Sequence, residues 1–326
     1  MTEGPRTGPP KPELSVLGRP SRHWVALGAQ HARDLTEHGL DLVKRRQAFR
    51  YFQWRWSFDR LRSSEQLRFL FSHTTPRTWL RCALARTDLS DAAWRPIDWP
   101  PGERWLYAFF TRLVWEYASS VDRLGALRHE EPLLGSPLPV WWRGRLISQD
   151  LANSALELGA IDRALDGRAP RNAIEIGPGY GRNAYLLLKQ YPGLRYTAVD
   201  IEPALSIVRW YLSSLFPTDR LTFLTPDQAL DLPTGSFDLG YSISTLQDMT
   251  AEHVSGYIHL LDRVVRGGTI YMKQWRAWYN RDDQVTLNFW EYPYPANWRL
   301  KFGEAAPIQT RFEQAAWAVE PPSPAA

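Results

Sequence analysis

The residues best equipped for chemistry stand near the middle of the chain. Glu175 is followed by glycines at 177, 179 and 181, and Asp200 comes about one strand–helix unit later. Bare backbone at alternate positions lets the chain turn sharply and lets a ligand reach peptide N–H groups that a Cβ would shield. A helix beginning at the turn would aim its unpaired N–H groups and positive dipole end at that ligand. Asp200 offers two acceptor oxygens on a short stem, which suits a vicinal diol that donates twice. The spacing disfavours two other nucleotide sites. A dinucleotide turn needs its third glycine three residues after the second, where Arg182 stands, and no Gly-Lys-Ser/Thr follows to complete a Walker A loop.

Positioning these groups requires a strand, a turn, a helix and a second strand. Ala173, Ile174 and Ile176 form the short apolar run of a parallel-sheet strand, and Ala184 and Leu186–Leu188 give residues 182–190 a helical pattern. The alternation then continues: helix 203–215, strand 221–225, strand 236–244, helix 251–266 and strand 269–273. Residues 298–302 and 312–319 read as an antiparallel pair. Right-handed crossovers turn this order into an α/β, doubly wound Rossmann-like sheet, parallel with an antiparallel C-terminal strand, whose carboxyl edge is the binding rim. Upstream, Ser148 is placed to cap a helix running to about Gly167, with Asp150 in its first turn. Residues 21–145 show helical patterns at 23–47, 65–72, 76–86 and 103–119, with an aromatic run at 48–58. The expected division is a disordered leader 1–20, a helical N-terminal domain 21–145 acting as substrate cap or oligomerisation surface, a sheet domain 146–319 and a flexible tail 320–326.

With 326 residues, 44% apolar and 23% charged, the chain has the composition of a globular protein of about two domains. The net charge of +4 is small, and although 34 of the 39 basic residues are arginine, acids are interspersed among them. That pattern lacks the clustered basic footprint of a nucleic-acid binder. Cys82 stands alone, which excludes an internal disulfide and a cysteine metal site. With no long apolar run, and no apolar core near the N-terminus, the expectation is a cytoplasmic protein without a membrane partner. No cluster of acids follows the fourth strand, so no metal is expected. Sixteen tryptophans are the unusual feature.

The constellation of Glu175, the glycine turn and Asp200 resembles the S-adenosylmethionine (SAM) site of class I methyltransferases. Residues 44–319 resemble, more narrowly, the bacterial sugar O-methyltransferase family. The resemblance is carried by Lys44–Trp54, Ile147–Glu157, Glu175–Gly181, Val199–Leu205, Ser244–Met249 (Ser-Thr-Leu-Gln-Asp-Met) and Tyr271–Trp275. The family carries glutamate where this chain has Asp248 and an asparagine near Ile243. The resemblance implies SAM as cofactor and S-adenosylhomocysteine (SAH) as product. Gly177, Gly179 and Gly181 would lie under the methionine part, Asp200 and Ile201 at the ribose, and Asp227 and Gln228 where adenine lies. Ser244 completes the set, with Ser148 and Gln149 closing over it from the preceding helix.

The implied activity is methyl transfer to a hydroxyl of a sugar or glycosylated small-molecule natural product. Near-attack alignment contributes about 7–11 kcal/mol to such displacements, against about 10²–10⁴-fold from a general base, so an obvious base is not obligatory. Asp248, just past the fourth strand, stands where a base is needed, or equally where a loop carboxylate precedes the helix at 251. Gln247 and His253 are further catalytic candidates, and Tyr51, Trp54 and Trp56 could wall a sugar ring. N- or C-methylation, or a scaffold that binds SAM without catalysis, remain alternatives. The absence of Asn/Asp-Pro-Pro-Tyr/Phe after the fourth strand argues against methylation of a nucleic-acid base.

Overall fold

A computed structural model describes residues 14–45, 64–88, Trp94 and 99–321. The helical half comprises α1 (Arg22–His38), α2 (Glu65–His73), α3 (Pro76–Leu84) and α4 (Pro101–Val121). A short hairpin, β1 (Val140–Trp142) and β2 (Arg145–Ile147), leads into α5 (Gln149–Ala164). There follow β3 (Asn172–Ile176), α6 (Arg182–Gln190), β4 (Arg195–Val199), α7 (Ala204–Ser213), β5 (Leu221–Leu224) and α8 (Pro226–Ala229). The chain continues with β6 (Leu239–Ile243), α9 (Ala251–Val264), β7 (Thr269–Trp275), the hairpin β8 (Ala277–Asn280) and β9 (Val285–Asn288), β10 (Trp298–Ala305) and β11 (Phe312–Val319).

Seven strands form one sheet in the order β10-β11-β7-β6-β3-β4-β5. Strands β3 to β7 pair in parallel, while β11 runs antiparallel to both β7 and β10. The chain builds outwards from β3 to β5, then returns to β6 on the other side of β3. The carboxyl ends of β3 and β6 therefore flank the crevice where order reverses, the usual ligand position in open α/β sheets. The glycine turn and Ser244 stand at that crevice because β3 and β6 end there.

Alternation along the strands sends side chains to two cores. On one face Ala173, Tyr196 and Tyr241 join α4, α5, α6 and α7 in a core that also contains Leu70, Phe110 and Trp142 of the N-terminal half. On the other, Ile174, Ile176 and Val199 pack with α9 and with Leu17. Helical half and sheet thus share one continuous core across the expected boundary at 145/146.

Three expectations need correction. Residues 14–20 do not behave as a leader: Leu14–Gly18 is a 3₁₀ turn, and Leu17, 2% exposed, packs against Gly256 of α9. A buried leucine outweighs the surrounding proline and glycine there. The helical pattern at 23–47 is interrupted at Gly39, whose positive φ of 65° closes α1 by a bond to the Leu35 carbonyl. Glu320 is held by Asn297 and by an ion pair with Arg299 at 3.0 Å rather than frayed. The β8–β9 hairpin, unforeseen, occupies the connection between the fifth and sixth sheet strands.

Candidate active site

The rim is built first by backbone. Gly177 and Gly179 adopt φ of +72° and +60°, a region costly for residues with a Cβ. A Cβ on Gly177 would also come within 2.1 Å of the Thr245 side chain, so this glycine lets the loops after β3 and β6 meet. A Cβ on Gly179 would meet nothing within 4 Å, which marks an open cradle. Gly181, left-handed, is the residue before α6, and its successor Arg182 opens the helix.

Two carboxyls face this cradle from neighbouring strand ends. Glu175 is buried on β3 and accepts hydrogen bonds from Tyr196 Oη at 2.5 Å and Tyr241 Oη at 2.9 Å. Burial outweighs these two donors and pushes its pKa up to about 7. Asp200 follows β4 and accepts the Ile201 N–H at 2.8 Å. Its pKa is likewise pushed up to about 7 by burial, with the nearby Glu175 and Glu202 charges adding and the Ile201 and Gly179 N–H groups opposing. The cleft above them is lined also by Asp150, Tyr180 and Arg182, and is roofed by Trp24 and His31 of α1. Trp24 further borders a smaller recess with Ile201, His253 and Tyr257. Its indole Nε1 is buried without an acceptor among the described residues.

A second cavity, about 290 Å³, opens beyond Ser244, which borders both. Ser244, with φ of 56°, turns the chain out of β6. Gln247 is committed at both ends, donating to Ser244 Oγ at 3.1 Å and accepting the Trp275 N–H at 2.8 Å. Asp248 lines the cavity, and burial pushes its pKa up to about 6 against the charge of His23 and hydrogen bonds from Gln247 and Trp278. Trp275 and Trp278 lie 5.0 Å apart at 41°, and Trp275 stands 5.0 Å from Phe312. Gln66 and Gln309 contribute amides.

Several expected site residues stand elsewhere. Ser148 caps α5 and donates to Glu131, which also holds the buried Lys44, and Gln149 donates to Thr111 at 3.1 Å. Both point into the helical half, and Asp150 faces the cleft in their place. Gln228 spends its amide on the Thr225 N–H in a capping box. Asp227 is exposed beneath Gly18 and does not border the cleft. His253 has both ring nitrogens engaged, Nδ1 with Thr250 Oγ1 at 2.8 Å and Nε2 with the Arg19 carbonyl at 2.6 Å. That leaves no nitrogen to receive an acceptor's proton. Tyr51, Trp54 and Trp56 lie outside the described residues. Tyr180 and Arg182 were visible in the turn motif itself, and Trp275 ends a segment of the family resemblance. Asp150 stood inside another such segment, Ile147–Glu157, whereas Trp24 and His23 carried no motif signal.

The comparisons decide the frame. Residues 174–272 match the family described as a methyltransferase domain. The fold is that of a class I methyltransferase. SAM is its cofactor, and the cleft fits that molecule: an open backbone cradle at Gly179, a carboxylate with two acceptor oxygens at the end of β4, and acidic groups suited to a cation. A malonyl-[acyl-carrier protein] O-methyltransferase from Paenibacillus sp. (strain JDR-2) is 30% identical over 127 residues, 38% of this chain and 44% of that protein. The chain thus matches less than half the length of that curated relative. Among solved structures, a SAM-dependent methyltransferase from Aquifex aeolicus aligns with a TM-score of 0.41 and 15% identity, over 50% of this chain and 89% of that one. An O-methyltransferase family protein from Burkholderia thailandensis aligns with a TM-score of 0.41 and 13% identity, over 53% and 59%. Among the described residues, no helix of the chain is long and apolar enough to cross a membrane, and no group of three His, Cys, Asp or Glu side chains is arranged to hold a metal.

Proposed function

We propose that the chain is a SAM-dependent O-methyltransferase whose acceptor is a hydroxyl of a sugar or of a glycosylated small molecule. The observation that carries this reading is the second cavity, joined to the cofactor cleft at Ser244 and furnished with aromatic faces and amides. The C–H faces of a pyranose stack on flat apolar rings, while its hydroxyls require converging donors and acceptors. Trp275, Trp278 and Phe312 supply the first; Gln66, Gln309 and Asp248 supply the second. Tyr51, Trp54 and Trp56, expected from the sequence to wall a sugar ring, lie outside the described residues and are not needed for this reading.

When bound, the cofactor supplies an electrophilic methyl group on a sulfonium. The chain's part is to hold and align. Asp200 accepts from the ribose diol, Glu175 and the N–H groups of the glycine turn hold the methionine part, and Ile201 borders the nucleoside recess. Asp248 accepts from a hydroxyl of the acceptor beside the one that is methylated, and Gln247 fixes the loop that carries it against β7. The Paenibacillus relative acts as an O-methyltransferase by name, which supports transfer to oxygen.

Two assays test the reading. SAM and SAH should raise the melting temperature of the purified chain while NAD does not. Incubation with SAM and a panel of p-nitrophenyl glycosides should give a product heavier by one methylene in the mass spectrum. Tight SAH binding with methylation of an amine or carbon acceptor instead would replace oxygen as the target. Tight binding with no methylated acceptor of any kind would favour a scaffold.

A further inference from the structure

We propose that His23 is the general base for the acceptor hydroxyl, held in its working tautomer by Asp282; the proposal rests on the acceptor cavity assigned above. His23 is the second residue of α1, and its Nδ1 lies 2.8 Å from Asp282 Oδ2 in the β8–β9 turn. A carboxylate can only accept, so this contact selects the Nδ1–H form and leaves the Nε2 lone pair for a proton. Among the described residues Nε2 has no hydrogen-bond partner, and the ring borders the acceptor cavity together with Asp248 and Trp278.

The hairpin fixes this arrangement at three points. Asp283 accepts the N–H groups of Arg22 and His23 at 3.0 and 3.3 Å, capping α1. Asn280 donates to Asp283 Oδ2 at 3.0 Å and to the Asp248 carbonyl at 3.1 Å. The first turn of α1 and the loop after β6 are therefore tied to the same tight turn. Asp248, on the same cavity, already receives N–H donors from Gln247 and Trp278, whereas His23 Nε2 is left open to the acceptor. The charged groups around His23 are Asp282 and Asp283 on the hairpin, Asp248 after β6, Arg22 on its own helix and Arg311 across the cavity.

The balance is simple. As the new C–O bond forms from the acceptor oxygen, its O–H bond breaks and the proton passes to His23 Nε2. The electron pair of the broken carbon–sulfur bond stays on sulfur, giving the neutral thioether, and the proton returns to solvent through the half-exposed ring.

Two readouts test this, one independent of turnover. In ¹⁵N-labelled full-length protein saturated with SAH, the His23 resonances, assigned by their loss in His23→Gln, should report the Nδ1–H tautomer. Asp282→Ala should release that preference and Asp282→Glu should restore it. In the glycoside assay His23→Gln should lower kcat by about 10²-fold, with KM within a few fold and the SAH-induced thermal shift unchanged. An Nε2–H tautomer in the wild type, or wild-type kcat in His23→Gln, would overturn the assignment. A wild type that methylates no glycoside sinks the sugar reading instead, while the imidazole spectrum still decides the His23–Asp282 pair.

Discussion

At the scale of single residues, the cofactor cleft is governed by two carboxyls whose ordinary ionisation is opposed by burial. Glu175 and Asp200 both titrate near about 7 in the folded chain, above their usual 4.5 and 3.8. The folded state therefore holds protons that the unfolded state gives up. The stability this contributes is present below the ordinary carboxylate values and is lost as pH rises towards about 7. The ribose diol donates hydrogen bonds, so it favours the ionised form of Asp200 and binds best above that value. SAH affinity should thus fall by up to about tenfold per pH unit below about 7, and titration calorimetry across that range checks it. Asp200→Asn should flatten the profile near the weak affinity that the wild type reaches at low pH, so that the loss is greatest above about 7; a slope unchanged in that variant would assign the titration to Glu175. These two acids were legible in the sequence because each ends a strand at a fixed distance from the glycine turn. Asp150 was legible only as a first-turn acid inside the Ile147–Glu157 segment of the resemblance; its place at the cleft follows from the packing of α5 beside the turn, which brings it within 2.6 Å of Tyr180 Oη.

At the scale of elements, the strands and most helices were legible, and the pieces that complete the site were not. Helix α6 spans Arg182–Gln190, as its apolar spacing predicts, and the antiparallel pair at the C-terminus falls where alternation places it. The β8–β9 hairpin escaped notice because Arg276–Asn288 mixes aromatic, charged and amide residues with no long apolar alternation. Nothing in α1 marks its first turn as lying over a ligand, since that follows from capping by a residue some 260 positions away. Ser21 and Asp283 both cap α1, so Asp283→Ala should cost about 1 kcal/mol of the local stability of that helix. Because Trp24 of α1 roofs the cofactor cleft, SAH should slow amide exchange in residues 22–38, and Asp283→Ala should speed exchange there while leaving β3 and β6 protected. Exchange in α1 indifferent to SAH would show that the helix is not part of the cofactor site. Trp24→Phe keeps the ring but removes its unpaired N–H, and should alter SAH affinity only if that N–H finds an acceptor on the bound molecule.

At the scale of the whole molecule, a buried ionic cluster on the sheet side of the expected 145/146 division ties α5 to α6 and β7. Glu157 of α5 receives Arg182 of α6 through both oxygens, at 2.7 and 3.1 Å, and Lys273 of β7 at 2.7 Å. Burial alone would raise the Glu157 pKa, but the two cations and their hydrogen bonds draw it below its ordinary value, while burial lowers that of Lys273. This buried carboxylate thus pairs with two buried cations at once, with Asp150 adding its charge near Arg182. Such a cluster is weak evidence for net stability, yet removing its central charge is costly because it strands the others. Glu157→Gln should destabilise the chain by about 3–5 kcal/mol, whereas Arg163→Ala, which deletes an exposed pair with Glu304, should cost under about 1 kcal/mol. Since α5 packs on α4 as well as on α6, and one core runs from Leu70 through Phe110 to Tyr241, the loss should be felt by both halves together. Calorimetry should show a single transition that moves as one in Glu157→Gln. Two separated transitions, with only the later one shifted, would instead mean that the helical half folds on its own and meets the sheet merely as a cap.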